Sequence, residues 1–232
     1  MGTPGPKPRR KEVLWSADFA YAVGLITTDG NLSPDGRHLI LVSKDKEQIE
    51  NIKECLGITA NASYKASGSK GNTNLYYRLQ WGDITLYTFL LSIGLTPNKS
   101  LTLGPLIVPD EYFFDFLRGI FDGDGCFYSY FDPRWKSSFM FYMTFTSASK
   151  VHIFWLRETI ERFLDIRGHV TTGKQMNSIY NLKYAKKESM IVLNVLYPNK
   201  KTRCLKRKRL KIETALSIVG LSLSKEGVNL TK

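Results

Sequence analysis

The chain has 232 residues and is 43% hydrophobic, enough to bury a core, so it is not read as a disordered chain. Charges interrupt every apolar run before it reaches membrane-spanning length, and residues 1–11, rich in Pro, Gly, Arg and Lys, lack the apolar centre of a signal peptide, so an intracellular, soluble protein is expected. Lys and Arg number 33 against 21 Asp and Glu; the net charge of +12 points to a polyanionic partner, nucleic acid before others.

In chain order, residues 1–12 form a basic tail ahead of the first helical signal. Ser16, preceded by Trp15, is a candidate N-cap for a helix that stops at Asp29-Gly30. Two strands follow, joined by Ser33-Pro34-Asp35-Gly36, the second being Leu39-Ile40-Leu41-Val42-Ser43. Asp45 with Gln48 has the spacing of a capping box for an amphipathic helix that Gly57 ends. A second hairpin pairs 63–65 with 76–80 across a Gly/Ser-rich turn at 67–73, and a helix over 84–93 closes this half. Pro109, Asp110 and Glu111 then signal a new helix that ends at Asp124-Gly125. Strands flank a turn at 132–136, the later one at 141–147. Ser149 precedes a helix over 150–164, a hairpin pairs 170–174 with 180–184, and helices over 189–196 and 203–219 come last.

The chain is thus written twice. Superposing Asp29 on Asp124 aligns Gly24 with Gly119, Gly30 with Gly125 and Leu25 with Ile120, and Thr96-Pro97-Asn98-Lys99 parallels Tyr197-Pro198-Asn199-Lys200. The reading is α+β: two pseudo-symmetric αββαββα repeats, each with a four-stranded antiparallel sheet. They cover residues 13–105 and 106–220, between tails at 1–12 and 221–232.

The helices ending at Asp29 and Asp124 carry small residues on one stripe: Ala20, Gly24 and Thr28 in the first, Gly119 and Gly123 at matching places in the second. Glycine inside a helix costs about 1 kcal/mol relative to alanine, and close backbone packing of the two helices is the natural reason to keep it. That packing brings two carboxylates to two helix C-termini, where a cation is favoured. Like charges at short range raise carboxyl pKa values, and a hard divalent cation relieves the conflict. Phosphodiester hydrolysis is the chemistry such a site serves. Three scattered cysteines (Cys55, Cys126, Cys204) and three scattered histidines (His38, His152, His169) supply no competing zinc, disulfide or histidine-metal signature.

Val23-Gly24-Leu25-Ile26-Thr27-Thr28-Asp29-Gly30 and Arg118-Gly119-Ile120-Phe121-Asp122-Gly123-Asp124-Gly125 resemble the LAGLIDADG motif of homing endonucleases in its two-motif, single-chain form. The resemblance runs from about residue 13 to about residue 220. It implies a monomer whose two curved sheets form a DNA-binding saddle over a long, nearly unique double-stranded site, and a staggered double-strand break made with divalent metal under the central helices. The cation expected is Mg²⁺, or Mn²⁺ in its place, with Ca²⁺ able to occupy the site without supporting cleavage. The motif's ligands fall on Asp29 and Asp124, joined by the carbonyls of Thr28 and Gly123. Thr27 departs from the pattern where an acid often stands; Asp122 keeps it. The family also places a lysine near each scissile phosphate. Lys99 matches in the first half; in the second, Lys208 is preferred narrowly over Lys200. A bacterial or phage cytoplasm, or an organelle, is the expected location.

Strand alternation nominates the base-reading side chains. In Leu75-Tyr76-Tyr77-Arg78-Leu79-Gln80-Trp81, the set Leu75, Leu79 and Trp81 faces the helices, so Tyr76, Arg78 and Gln80 face outward. Arg pairs with guanine and Gln with adenine in the major groove. The same alternation nominates Lys65, Tyr142, Thr144, Asn181 and Lys183. Within the basic run 206–211, Lys206 and Arg207 are read as phosphate contacts, in preference to a nuclear-import signal or a plain polar face. Phe113 through Phe121 are read as core. Two other functions share this fold and are weighed beside the nuclease: an intron RNA maturase and a non-cleaving, sequence-specific DNA-binding protein.

Overall fold

The computed structural model describes residues 13–66, 75–173 and 179–223. The basic residues 7–11, the turn 67–73 and the tail beyond 223 lie outside them. The first repeat runs α1 (Ala17–Asp29), β1 (Gly30–Leu32), β2 (His38–Ser43), α2 (Lys46–Leu56), β3 (Ser63–Ala66), β4 (Leu75–Gly82) and α3 (Ile84–Ser92). After a 3-10 turn at Asp110–Tyr112, the second runs α4 (Phe113–Asp124), β5 (Cys126–Phe131), β6 (Phe139–Ser147), α5 (Lys150–Leu164), β7 (His169–Gly173), β8 (Ile179–Ala185) and α6 (Lys186–Leu196), with α7 (Lys206–Ile218) at the end. Both sheets are antiparallel with matching order, β1-β2-β4-β3 and β5-β6-β8-β7. The α+β repeat order read from the sequence is the one observed.

Local signals explain most boundaries. Ser16 Oγ accepts from Phe19 N (3.1 Å) at the start of α1, and Ser149 Oγ accepts from His152 N at the start of α5. Gly57 ends α2 in the left-handed conformation (φ 64°), which a residue with a Cβ resists. One cap does not form. Asp45 makes no side-chain bond to its own helix; its carboxylate takes Arg207 instead, and Gln48 turns away to Asp29. An ion pair with a distant guanidinium wins over a local cap.

The core is shared by both repeats. Tyr21 and Leu25 of α1 and Phe116 and Phe121 of α4 are fully buried, so the aromatic run around residue 113 is core, as its pattern implies. Leu39, Leu41 and Leu79 are buried beneath the first sheet, and Phe141, Met143, Phe145 and Leu182 beneath the second. Leu75 departs from the expected alternation: it is 62% exposed although it shares a face with Leu79.

Two chain segments cross between repeats. Ser149 Oγ donates to Leu103 O (2.5 Å) and His152 Nδ1 bonds Gly104 O (3.0 Å), so the linker of the first repeat docks at the start of α5. In the reverse direction Asn51 Nδ2 donates to Cys204 O, while Arg203 pairs with Asp18 (3.1 Å) and Glu54 (2.6 Å). Leu205 N and Tyr21 Oη both donate to Asp122 Oδ2, at 2.6 and 2.8 Å.

Candidate metal centre and nucleic-acid interface

The crossing of α1 and α4 is set by glycine. A Cβ built on Gly24 would lie 2.8 Å from Gly119 Cα, and one on Gly119 would lie 2.9 Å from Gly24 Cα, with backbone carbonyls nearer still. One turn further on, a Cβ on Gly123 would strike the Thr28 side chain and stand 3.2 Å from Asp29 Oδ2. The Asp29 carboxylate therefore lies against the residue that precedes Asp124, and the two acids share the foot of the helix pair.

Their electrostatics follow. Burial, reinforced by the neighbouring Asp124 charge, pushes Asp29 up to about 6. Burial likewise raises Asp124. Gln48 Nε2 donates to Asp29 Oδ2 (2.6 Å), and Gln48 Oε1 accepts from Ser43 Oγ (2.6 Å), which fixes the amide's orientation. Asp124 has neither hydrogen bond nor ion pair among the described residues. The pseudo-symmetry explains the difference: His152 occupies the place of Gln48 and is spent on Gly104 O.

Each acid is followed by a glycine whose carbonyl receives a lysine. Lys99 Nζ donates to Gly30 O, and Lys208 Nζ donates to Gly125 O (2.7 Å), Phe121 O (2.6 Å) and Gly123 O (3.1 Å). Burial lowers Lys99 to about 8 and lowers Lys208 as well, with both acids opposing the shift at Lys99. Neither ammonium pairs directly with Asp29 or Asp124. Lys200, the alternative in the second half, is exposed on the segment that faces α2.

The donor set suits a hard divalent ion: two crowded carboxylates with raised pKa values, unneutralised by any direct lysine bridge, and main-chain carbonyls beside them. No cluster of three or more His, Cys, Asp or Glu side chains occurs among the described residues, so a purely side-chain cage is not the arrangement. One nominated ligand is engaged, since Gly123 O accepts from Lys208.

The register places the nominated DNA-reading residues. Ile40 pairs with Gln80, Val42 with Arg78 and Lys65 with Tyr76, so Lys65, Tyr76, Arg78 and Gln80 share the outer face of the first sheet. Asp29, Asn31, Tyr64, Lys65 and Arg78 line one hollow of about 440 Å³ that joins this face to Asp29. In the second sheet Thr144 pairs with Lys183 and Thr146 with Asn181, and Tyr142 stacks against Tyr128 and Tyr130. Thr144 corrects the expectation of an accessible side chain: its short side chain, on the middle strand between Cys126 and Lys183, is only 5% exposed. Lys206 and Arg207 stand exposed at the start of α7; Lys206 pairs with Glu47 (3.5 Å) and Arg207 grips Asp45 with two bonds of 2.7 Å, tying α7 to α2.

Sequence reasoning missed Gln48 as a partner of Asp29, and Asp122 as the anchor of the segment that delivers Lys208. The first carried a usable signal: Ser43 and Gln48 align with Ser147 and His152 once the repeat is recognised. The second carried none, since Leu205 is distant in sequence.

No family profile and no curated relative matches the chain. Solved structures do. The homing endonuclease I-WcaI bound to its DNA recognition sequence superposes with a TM-score of 0.63 at 14% identity, over 90% of this chain and 95% of that one. I-DmoI in complex with DNA and Ca gives 0.54 at 14% identity, over 84% and 97%. Full-length DUF199/WhiA from Thermatoga maritima, whose N-terminal domain is a LAGLIDADG domain, gives 0.54 at 14% identity, over 91% of this chain but 64% of that one. The chain has the LAGLIDADG fold. Identity this low shows the LAGLIDADG architecture alone; what this chain does with it rests on its own residues.

Proposed function

We propose that the protein is a site-specific DNA endonuclease that binds double-stranded DNA along its two sheets and hydrolyses both strands beneath α1 and α4. The observation that carries this reading is the Gly24–Gly119 contact, which sets Asp29 and Asp124 together with a buried lysine beside each. A fold otherwise concerned with stability has little use for two crowded, buried carboxylates and two buried lysines at one point.

A bound Mg²⁺, or Mn²⁺, would supply an activated water and charge neutralisation at the leaving oxygen. The chain supplies the rest. Asp29, steadied by Gln48, and Asp124 would hold the cation, with the carbonyls of Thr28 and Gly123 at hand. Lys99 and Lys208 stand where they would stabilise developing negative charge on phosphate.

The test is cleavage of supercoiled plasmid carrying a site first recovered by selection from a random duplex library. Linear product is expected with Mg²⁺ and none with chelator, and Asp29→Asn or Asp124→Asn should abolish cutting while leaving binding within a few-fold. Cutting that survives both single changes would overturn the assignment. One observation favours a second reading, a DNA-binding protein that does not cut: Lys208 occupies the Gly123 carbonyl. Tight, site-specific binding with no cleavage under Mg²⁺ or Mn²⁺ would establish that reading instead.

A further inference from the structure

On the outer face of each sheet one amide side chain is held with its oxygen engaged by a neighbouring donor. Arg78 Nη2 donates to Gln80 Oε1 at 2.5 Å. Arginine has no acceptor to offer, so this bond fixes the Gln80 amide with its oxygen toward the guanidinium, one lone pair taken, and both NH₂ protons free to donate. The same thing happens in the second sheet, where the Thr146 hydroxyl donates to Asn181 Oδ1 at 2.9 Å. Lys65 and Lys183 add charged donors to the same faces. The face strands of β1 through β8 carry no Asp or Glu on this side among the described residues.

We infer that Arg78 and Gln80 act as one donor-rich unit that selects guanine over adenine in the target duplex. This inference rests on the DNA-binding part of the function proposed above. Glutamine reads adenine by accepting from N6–H while donating to N7. With one Oε1 lone pair already taken by Arg78, an incoming adenine N6–H must share that oxygen beside a guanidinium N–H, a donor-against-donor crowding that guanine does not meet. Cytosine presents an N4 amino donor and is disfavoured for the same reason. Guanine presents two acceptors, O6 and N7, and satisfies the amide N–H groups of Gln80 and the free guanidinium N–H groups of Arg78. Ile40 and Val42, directly opposite Gln80 and Arg78 in the neighbouring strand, are apolar and supply no competing acceptor. Ser63, paired with Arg78 from the other side, spends its hydroxyl proton on Arg78 O.

The experiment selects bound duplexes from a randomised library in Ca²⁺, so that nothing depends on cleavage, for the wild type, Gln80→Ala and Arg78→Ala. The expected wild-type result is guanine at the base position whose preference Gln80→Ala erases. The discrimination lost there should be roughly tenfold to hundredfold, the range of one good base contact. The sharper expectation concerns Arg78→Ala. Freeing Oε1 should move the Gln80-dependent position from guanine to adenine, a change of preference that a merely structural role for Arg78 would not produce. Adenine at that position in the wild type, or no change of base in Arg78→Ala, overturns the inference while leaving specific DNA binding intact. Failure of the wild type to enrich any duplex overturns the inference together with the reading of the protein as sequence-specific.

Discussion

Lys208 lies under α4 with its ammonium on the carbonyls of Phe121, Gly123 and Gly125, whereas Lys200 is exposed to solvent. The Pro-Asn-Lys repeat pointed to Lys200 and the closing basic run to Lys208; position beside Asp124 separates them. Lys208→Met should lower cleavage by roughly 100-fold or more, the usual effect of removing one donor at a charge-developing centre, and Lys200→Met should leave it unchanged. Single-turnover rates on a selected site check both. His152 carries a stability prediction. Burial lowers its pKa to about 4, with the Gly104 carbonyl opposing that shift by accepting from Nδ1. The unfolded chain protonates near the ordinary value of about 6.5 and the folded one only near 4, so stability is intact above 6.5 and falls as pH drops between these limits. The loss approaches about 3 kcal/mol. In urea titrations across that range, His152→Gln should flatten the pH dependence by up to one proton; an unchanged slope would place the sensitivity elsewhere.

Helix α1 meets α4 through backbone, and this is where a single methyl group tells most. Gly24→Ala gains about 1 kcal/mol of helix propensity. Against that, its Cβ meets Gly119 Cα and the Phe116 carbonyl, neither of which can rotate away. Overpacking of this kind costs about 1 to 3 kcal/mol, and the unyielding neighbours put it at the high end, so a net loss of about 2 kcal/mol is expected. The same holds for Gly119→Ala against Tyr21 O and Gly24 Cα. A urea midpoint equal to or above the wild type in both variants would contradict backbone contact. Helix α2 teaches the complementary lesson. Asp45 and Gln48 have capping-box spacing, yet Arg207 and Asp29 claim them, because charge-assisted bonds outweigh a local cap.

Across the whole molecule the two repeats share one core and exchange segments, the 103–104 linker docking on α5 and the 203–205 segment on α1 and α2. Neither half can open without exposing Tyr21, Leu25, Phe116 and Phe121. Calorimetry should show one transition with equal calorimetric and van't Hoff enthalpies; two resolved transitions would show that the halves fold independently.

What the sequence by itself determined is what local physics writes into neighbouring residues: the alternating strands, the capped helices, their duplication, and the two acid-terminated helices with matched glycines. From these follow the α+β repeat order and the pairing of Asp29 with Asp124, since a glycine stripe leaves a helix one close partner. What only the tertiary structure decided are the contacts between residues far apart in the chain. These include Gln48 on Asp29, Asp122 on Leu205, Arg207 on Asp45 and the covering of Thr144. A side chain's hydrogen bond goes to the strongest partner in reach, and reach is set by how the repeats pack rather than by spacing along the sequence.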